Sequence, residues 1–158
     1  MKRAFIAVAL LLAVAATAFA QGKIILDYKG MAFGKDFSEF KLLKEVRKSG
    51  DMVFYAKYQE EPTFQGVPVK DQMYGFYKGK FCLAMFTAQG PSAYNTLKAY
   101  FDAHYGPASQ PKVNIKQFTY MAGDVAIQLG FDDARKVVDV SYAYNPIMRQ
   151  FMPAGGNN

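Results

Sequence analysis

The chain has 158 residues, 51% of them hydrophobic and 16% aromatic, with 19 Lys and Arg against 13 Asp and Glu. That length suffices for one domain with a core of its own. A single cysteine, Cys82, excludes an internal disulfide and a Cys-x-x-Cys-His haem attachment, and a single histidine, His104, leaves a structural zinc site short of nitrogen and sulfur ligands.

Met1-Lys2-Arg3 is a short positive start, Ala4 to Ala16 is unbroken apolar sequence, and Ala18-Phe19-Ala20 puts small residues where a signal peptidase reads. This three-part pattern predicts a secretory signal over residues 1–20, cleaved between Ala20 and Gln21. The apolar run is shorter than the roughly 20 residues needed to span a bilayer. Gln21, not cysteine, follows the cleavage point, which argues against a lipid-modified terminus. The expected product is a single domain over residues 21–152 with a frayed tail over 153–158, periplasmic or secreted. Without Lys2 and Arg3 it carries 17 bases against 13 acids. Its lysines stand singly, so no nucleic-acid footprint is read.

Lys23 to Tyr28 (KIILDY) reads as a first strand, broken at Gly30 and Gly34. Asp36, with Glu39 three residues on, has the form of a capping box. It predicts one or two helical turns to about Lys41; residues 42–47 fit helix or strand and are read as strand. Lys48-Ser49-Gly50-Asp51 then turns the chain into a strand over Met52–Gln59. After Glu60-Glu61-Pro62, another strand starts at Gly66-Val67-Pro68. Residues 69–87 form the clearest hairpin, with Lys78-Gly79 as its two-residue turn. In a regular register Phe76 faces Phe81 and Tyr74 faces Leu83, placing Tyr74, Phe76, Phe81, Leu83 and Met85 on the core side.

A helix is predicted over about 91–105. Pro91 suits its first turn, and Gly106-Pro107 stops it. Ala93, Leu97, Tyr100, Phe101 and His104 recur at spacings of three and four. The remainder reads as a three-stranded meander: Ile115–Met121, then Val125, Ile127, Leu129 and Phe131 in alternation, then Val138, Val140, Tyr142 and Tyr144, ended by Pro146. The expected fold is α+β: a two-layer domain, antiparallel hairpins and a meander with one main helix on one face. An outer-membrane barrel of similar length is disfavoured by the helix, by lysines in the strands and by the absence of a terminal aromatic strand residue.

Gly30-Met31-Ala32-Phe33-Gly34, Val67-Pro68-Val69, Tyr74-Gly75-Phe76-Tyr77-Lys78-Gly79-Lys80-Phe81 and Tyr105-Gly106-Pro107 together resemble a loose group of small exported bacterial proteins without an assigned function. The likeness runs from about Gly30 to Tyr144. It implies an α+β fold and a bacterial envelope location, and carries no catalytic residues.

No Gly-x-Ser-x-Gly elbow and no phosphate-binding glycine loop occurs. Asp102 and His104 stand two apart on the predicted helix, where side chains do not face each other; His104 is read as a helix-end residue touching the sheet. Asp124, Asp132 and Asp133 fall in hairpin turns, where aspartate bonds its own backbone, and EF-hand spacing is absent. Cys82 lies in an apolar run and is expected to be buried. Tyr55, Tyr58, Tyr77, Tyr142 and Tyr144 are expected as partly buried rings whose hydroxyls reach solvent; the alternative is an exposed tyrosine-rich face or hairpin tip that binds a partner, with Tyr77, Lys78 and Lys80 as the partner-binding candidates. The leading expectation is a non-enzymatic binding domain of the envelope, with no cofactor and an unidentified envelope protein or small ligand as partner. The alternatives are a hydrolase-type enzyme whose site forms only in the fold, with His104 near Asp124 or Asp102, and a structural protein that pairs through an edge strand.

Overall fold

The computed structural model describes residues 23–151, so the leader expected over 1–20 and the tail expected over 153–158 lie outside it. Within that span the elements are β1 (Asp27–Tyr28), β2 (Met31–Ala32), a 3-10 turn (Phe37–Glu39), β3 (Leu43–Ser49), β4 (Met52–Lys57), β5 (Thr63–Phe64), β6 (Val67–Tyr77), β7 (Lys80–Gln89), α1 (Gly90–Tyr105), β8 (Gln117–Ala122), β9 (Val125–Asp132), β10 (Val137–Tyr144) and α2 (Asn145–Phe151). The fold is α+β. The main sheet is antiparallel, in the order β3-β4-β6-β7-β10-β9-β8, with β5 paired to the start of β6. β1 and β2 form a separate small hairpin. Two runs of hairpins thus meet where β10 returns beside β7. No helix among the described residues is long and apolar enough to cross a membrane.

Period-two alternation sorts the side chains onto two faces. Val125, Ile127, Leu129 and Phe131 of β9, Val138, Val140 and Tyr142 of β10, and Phe86 and Ala88 of β7 share one core with Ala93, Leu97, Phe101 and Tyr105 of α1. Leu97 and Phe101 are fully covered, each contributing about 1.5–3 kcal/mol of hydrophobic stabilisation. Gly106 ends α1 at φ 76°, its N–H donating to Asp102 O at 3.1 Å. On the other face a smaller cluster of Met52, Phe54, Cys82, Leu83 and Met148 lies under α2.

Several expectations change in the structure. The β6–β7 hairpin does turn at Lys78-Gly79, both at positive φ (46° and 78°), and Phe76 does pair with Phe81. Cys82 is then an extra residue: Gly75 pairs with Leu83 and Tyr74 with Ala84. That bulge flips the rest of β7, so Leu83 and Met85 leave the α1 face and join the α2 side. The strand expected over Lys23–Tyr28 shortens to Asp27–Tyr28, because only those two residues find ladder partners, Ala32 and Met31 of the two-residue β2. Asp36 makes no capping bond; its carboxylate pairs with Lys80 at 2.6 Å instead. His104 is exposed, and its Nδ1 lies 2.8 Å from Tyr100 O, while Tyr105 takes the buried place on the stripe. Lastly, α2 follows β10 where only a strand end was expected: Pro146 lies in its first turn, and only Met148 of its residues is buried.

Candidate functional site

α2 packs against one end of β6, β7 and β10, and the other end of the same sheet face stays open. There the strand registers set out two rows of side chains. Thr87 of β7, Asp139 of β10, Gly130 of β9 and Gln117 of β8 stand side by side. Next to them run Met73, Met85, Ser141, Gln128 and Thr119, one from each of β6, β7, β10, β9 and β8. With Asp71 and with Pro111 at the rim they bound a groove of about 540 Å³.

Two local features shape this floor. Between Lys70 and Met73 the β6 register slips, and Asp71 takes φ 50°, a left-handed conformation that Asp tolerates better than most residues. The slip brings the Asp71 carboxylate beside β7, where Thr87 Oγ1 donates to its Oδ2 at 2.9 Å. Gly130 stands mid-strand without a positive φ, and a Cβ there would meet nothing nearer than Asp139 O at 3.9 Å. No steric demand calls for glycine, which weakens a strand; the missing side chain instead deepens the floor.

The groove holds two carboxylates, Asp71 and Asp139, and no basic residue. Neither is in an ion pair among the described residues. Two cations of the neighbouring strand and turn are otherwise placed. Lys70 is the cross-strand partner of Thr87 but does not line the groove. Arg135 feels the Asp139 charge, yet its Nε donates to Asp132 at 2.6 Å.

The residues singled out in the sequence lie elsewhere. Tyr77 packs edge-on against Phe151 of α2 at 5.7 Å, Lys78 holds its ammonium 5.3 Å from the Tyr77 ring, and Lys80 pairs with Asp36. The hairpin tip is thus tied to its own fold, Lys80 through an ion pair and Tyr77 through ring packing. Of Tyr55, Tyr58, Tyr77, Tyr142 and Tyr144 only Tyr58 is exposed. Tyr142 is buried, and burial holds its hydroxyl far above the ordinary tyrosine range. Asp102 binds Lys98 and accepts from Tyr120 OH at 2.9 Å, turned away from His104. Asp132 accepts from the N–H groups of Ala134 and Arg135, and Asp133 pairs with Lys116. Among the described residues no group of three or more His, Cys, Asp or Glu is placed to hold a metal. Cys82 is buried, as the apolar run around it implies; its Sγ donates to Gly75 O at 3.5 Å, and burial pushes the thiol up to about 11.

A second polar cluster closes the seam between the β1–β2 hairpin and the sheet. Tyr74 OH donates to the Glu60 carboxylate. Lys29 Nζ lies 3.4 Å from Glu60 Oε1 and 2.6 Å from Gln72 Oε1. Burial, joined by Glu60, raises Tyr74 and Tyr28 alike.

No protein-family model, no curated protein and no solved structure matches the chain.

Proposed function

We propose that this chain is an exported binding domain of the bacterial envelope and that its ligand is a small molecule seated in the groove on the half of the sheet face that α2 leaves bare. The observation that carries this reading is the convergence of hydroxyls, amides, thioethers and carboxylates from β6 to β8 on one concave floor. Its volume falls in the range of about 300–1,000 Å³ usual for small-molecule sites. The leader expected over 1–20 supports export, and the lack of a recognisable nucleophile or acid–base set supports binding over catalysis.

Nuclear magnetic resonance of methionine methyl groups tests it directly, since Met73 and Met85 lie on the floor. Members of a small-molecule library that bind are expected to move those two signals, and Ser141→Phe, which fills the floor, to abolish the effect. Binders that leave both methionine signals still and move only the backbone amide signals of Tyr77–Lys80, recorded alongside because the tip holds no methionine, shift the case to the second reading, an envelope protein docking on that hairpin. The exposure of Lys78 favours that reading; the internal ties of Tyr77 and Lys80 weigh against it.

A further inference from the structure

We infer that the groove selects a cationic aliphatic amine, its ammonium held between Asp71 and Asp139 and its hydrocarbon laid over Met73 and Met85. This rests on the groove being the binding site and adds the class of ligand.

Charge is the first argument. The chain has 19 bases to 13 acids, yet the groove is lined by two aspartates and no base. Both carboxylates flank Thr87: Asp71 through the 2.9 Å hydrogen bond, Asp139 as its direct partner on β10. An ammonium in that gap meets two negative charges with three donors of its own to give. A carboxylate or phosphate there meets like charge on both sides.

Shape is the second argument. Met73 and Met85 are cross-strand partners in the adjoining row and are only partly buried. Methionine offers a flexible apolar surface that fits an alkyl chain. Gly130, beside Asp139, leaves the floor open where a larger head would rest. A hard divalent cation suits the site less well, because calcium sites draw on several carboxylates and among the described residues no group of three or more His, Cys, Asp or Glu is placed to hold a metal.

The test follows the Met73 and Met85 methyl signals of the purified protein while hexylamine, hexanol, hexanoate or calcium chloride is added. Hexylamine is expected to move both signals saturably, with hexanol about tenfold weaker, as loss of a charge-assisted hydrogen bond implies, and hexanoate without effect. Asp71→Asn and Asp139→Asn should each weaken hexylamine about tenfold; asparagine keeps the left-handed φ at position 71 and still accepts from Thr87. Equal binding of hexanol or hexanoate at these signals overturns the amine assignment and leaves the groove standing as a site. Movement by calcium alone overturns it in favour of an inorganic ion. Silence from all four probes also overturns it, whereas the groove reading itself falls only if the wider library is silent at Met73 and Met85 too.

Discussion

Two strand-interior glycines do opposite work. At Gly75 a Cβ would lie 3.0 Å from Leu83 Cβ, an atom fixed to the neighbouring strand. The Cys82 bulge lies beside this pair, and a methyl at position 75 would force Leu83 to give by a few tenths of an ångström. Gly75→Ala should therefore destabilise the protein by about 1–3 kcal/mol through overpacking. Gly130 has open space above it. Gly130→Ala should stabilise by about 0.4–1 kcal/mol, since it restricts the unfolded chain without strain in the folded one. Urea midpoints of the two variants measure both signs, and a gain at position 75 or a loss at position 130 contradicts the account. Neither role shows in the sequence, where each is one glycine inside an alternating run. The bulge that separates them depends on which residues pair, and pairing is tertiary.

At the scale of the element, α2 is the part least visible beforehand. Seven residues with one buried side chain show no helical period, and a helix this short is marginal in isolation. Its stability comes from Met148 sitting with Met52, Phe54, Leu83 and Cys82. Met148→Ala should loosen that lid, and Cys82 reports it. In the parent protein the thiol is buried and protonated at neutral pH, so labelling by a thiol reagent should be slow. In the variant it should quicken while the α1 side stays folded. Unchanged labelling would mean α2 does not shield the thiol. The long hairpins, the meander and α1 were legible because each repeats its pattern over many turns or pairs: Val125–Phe131 alternates without interruption, and Ala93, Leu97 and Phe101 share one stripe. The groove was not legible, because Asp71, Thr87, Asp139 and Gln128 come from four strands and look in sequence like ordinary outward positions. Edge strand β3 makes a further contrast. Lys44, Glu45, Arg47 and Lys48, with a bulge at Val46, discourage another chain from adding there.

Across the whole molecule, buried phenols tie stability to pH. Burial raises Tyr28, Tyr74, Tyr105, Tyr120 and Tyr142 above the ordinary tyrosine value; Glu60 adds to the shift of Tyr28 and Tyr74, and Asp102 to that of Tyr120. Cys82 is raised in the same direction. A raised acid keeps its proton longer in the folded state than in the unfolded one. Its contribution is complete below the unfolded value, about 8.5 for a thiol and about 10 for a phenol, and is lost as pH rises from there towards the folded value. The urea midpoint should thus hold steady from pH 7 to 8 and fall steeply above pH 10. Phenolate absorbance should lag behind that of free tyrosine until the fall begins. A midpoint unchanged to pH 11 would show these hydroxyls to be far better hydrated than the fold implies.

Strand geometry separates what holds this protein together from what equips it. Positions 73, 85, 87, 128 and 141 look outward from the same backbones whose neighbours at 74, 86, 129, 140 and 142 build the interior. The outward set is therefore free to drift under selection, or to be randomised in a library, while the scaffold's cohesion is inherited unchanged, so descendants of one such sheet can diverge in taste long before they diverge in shape.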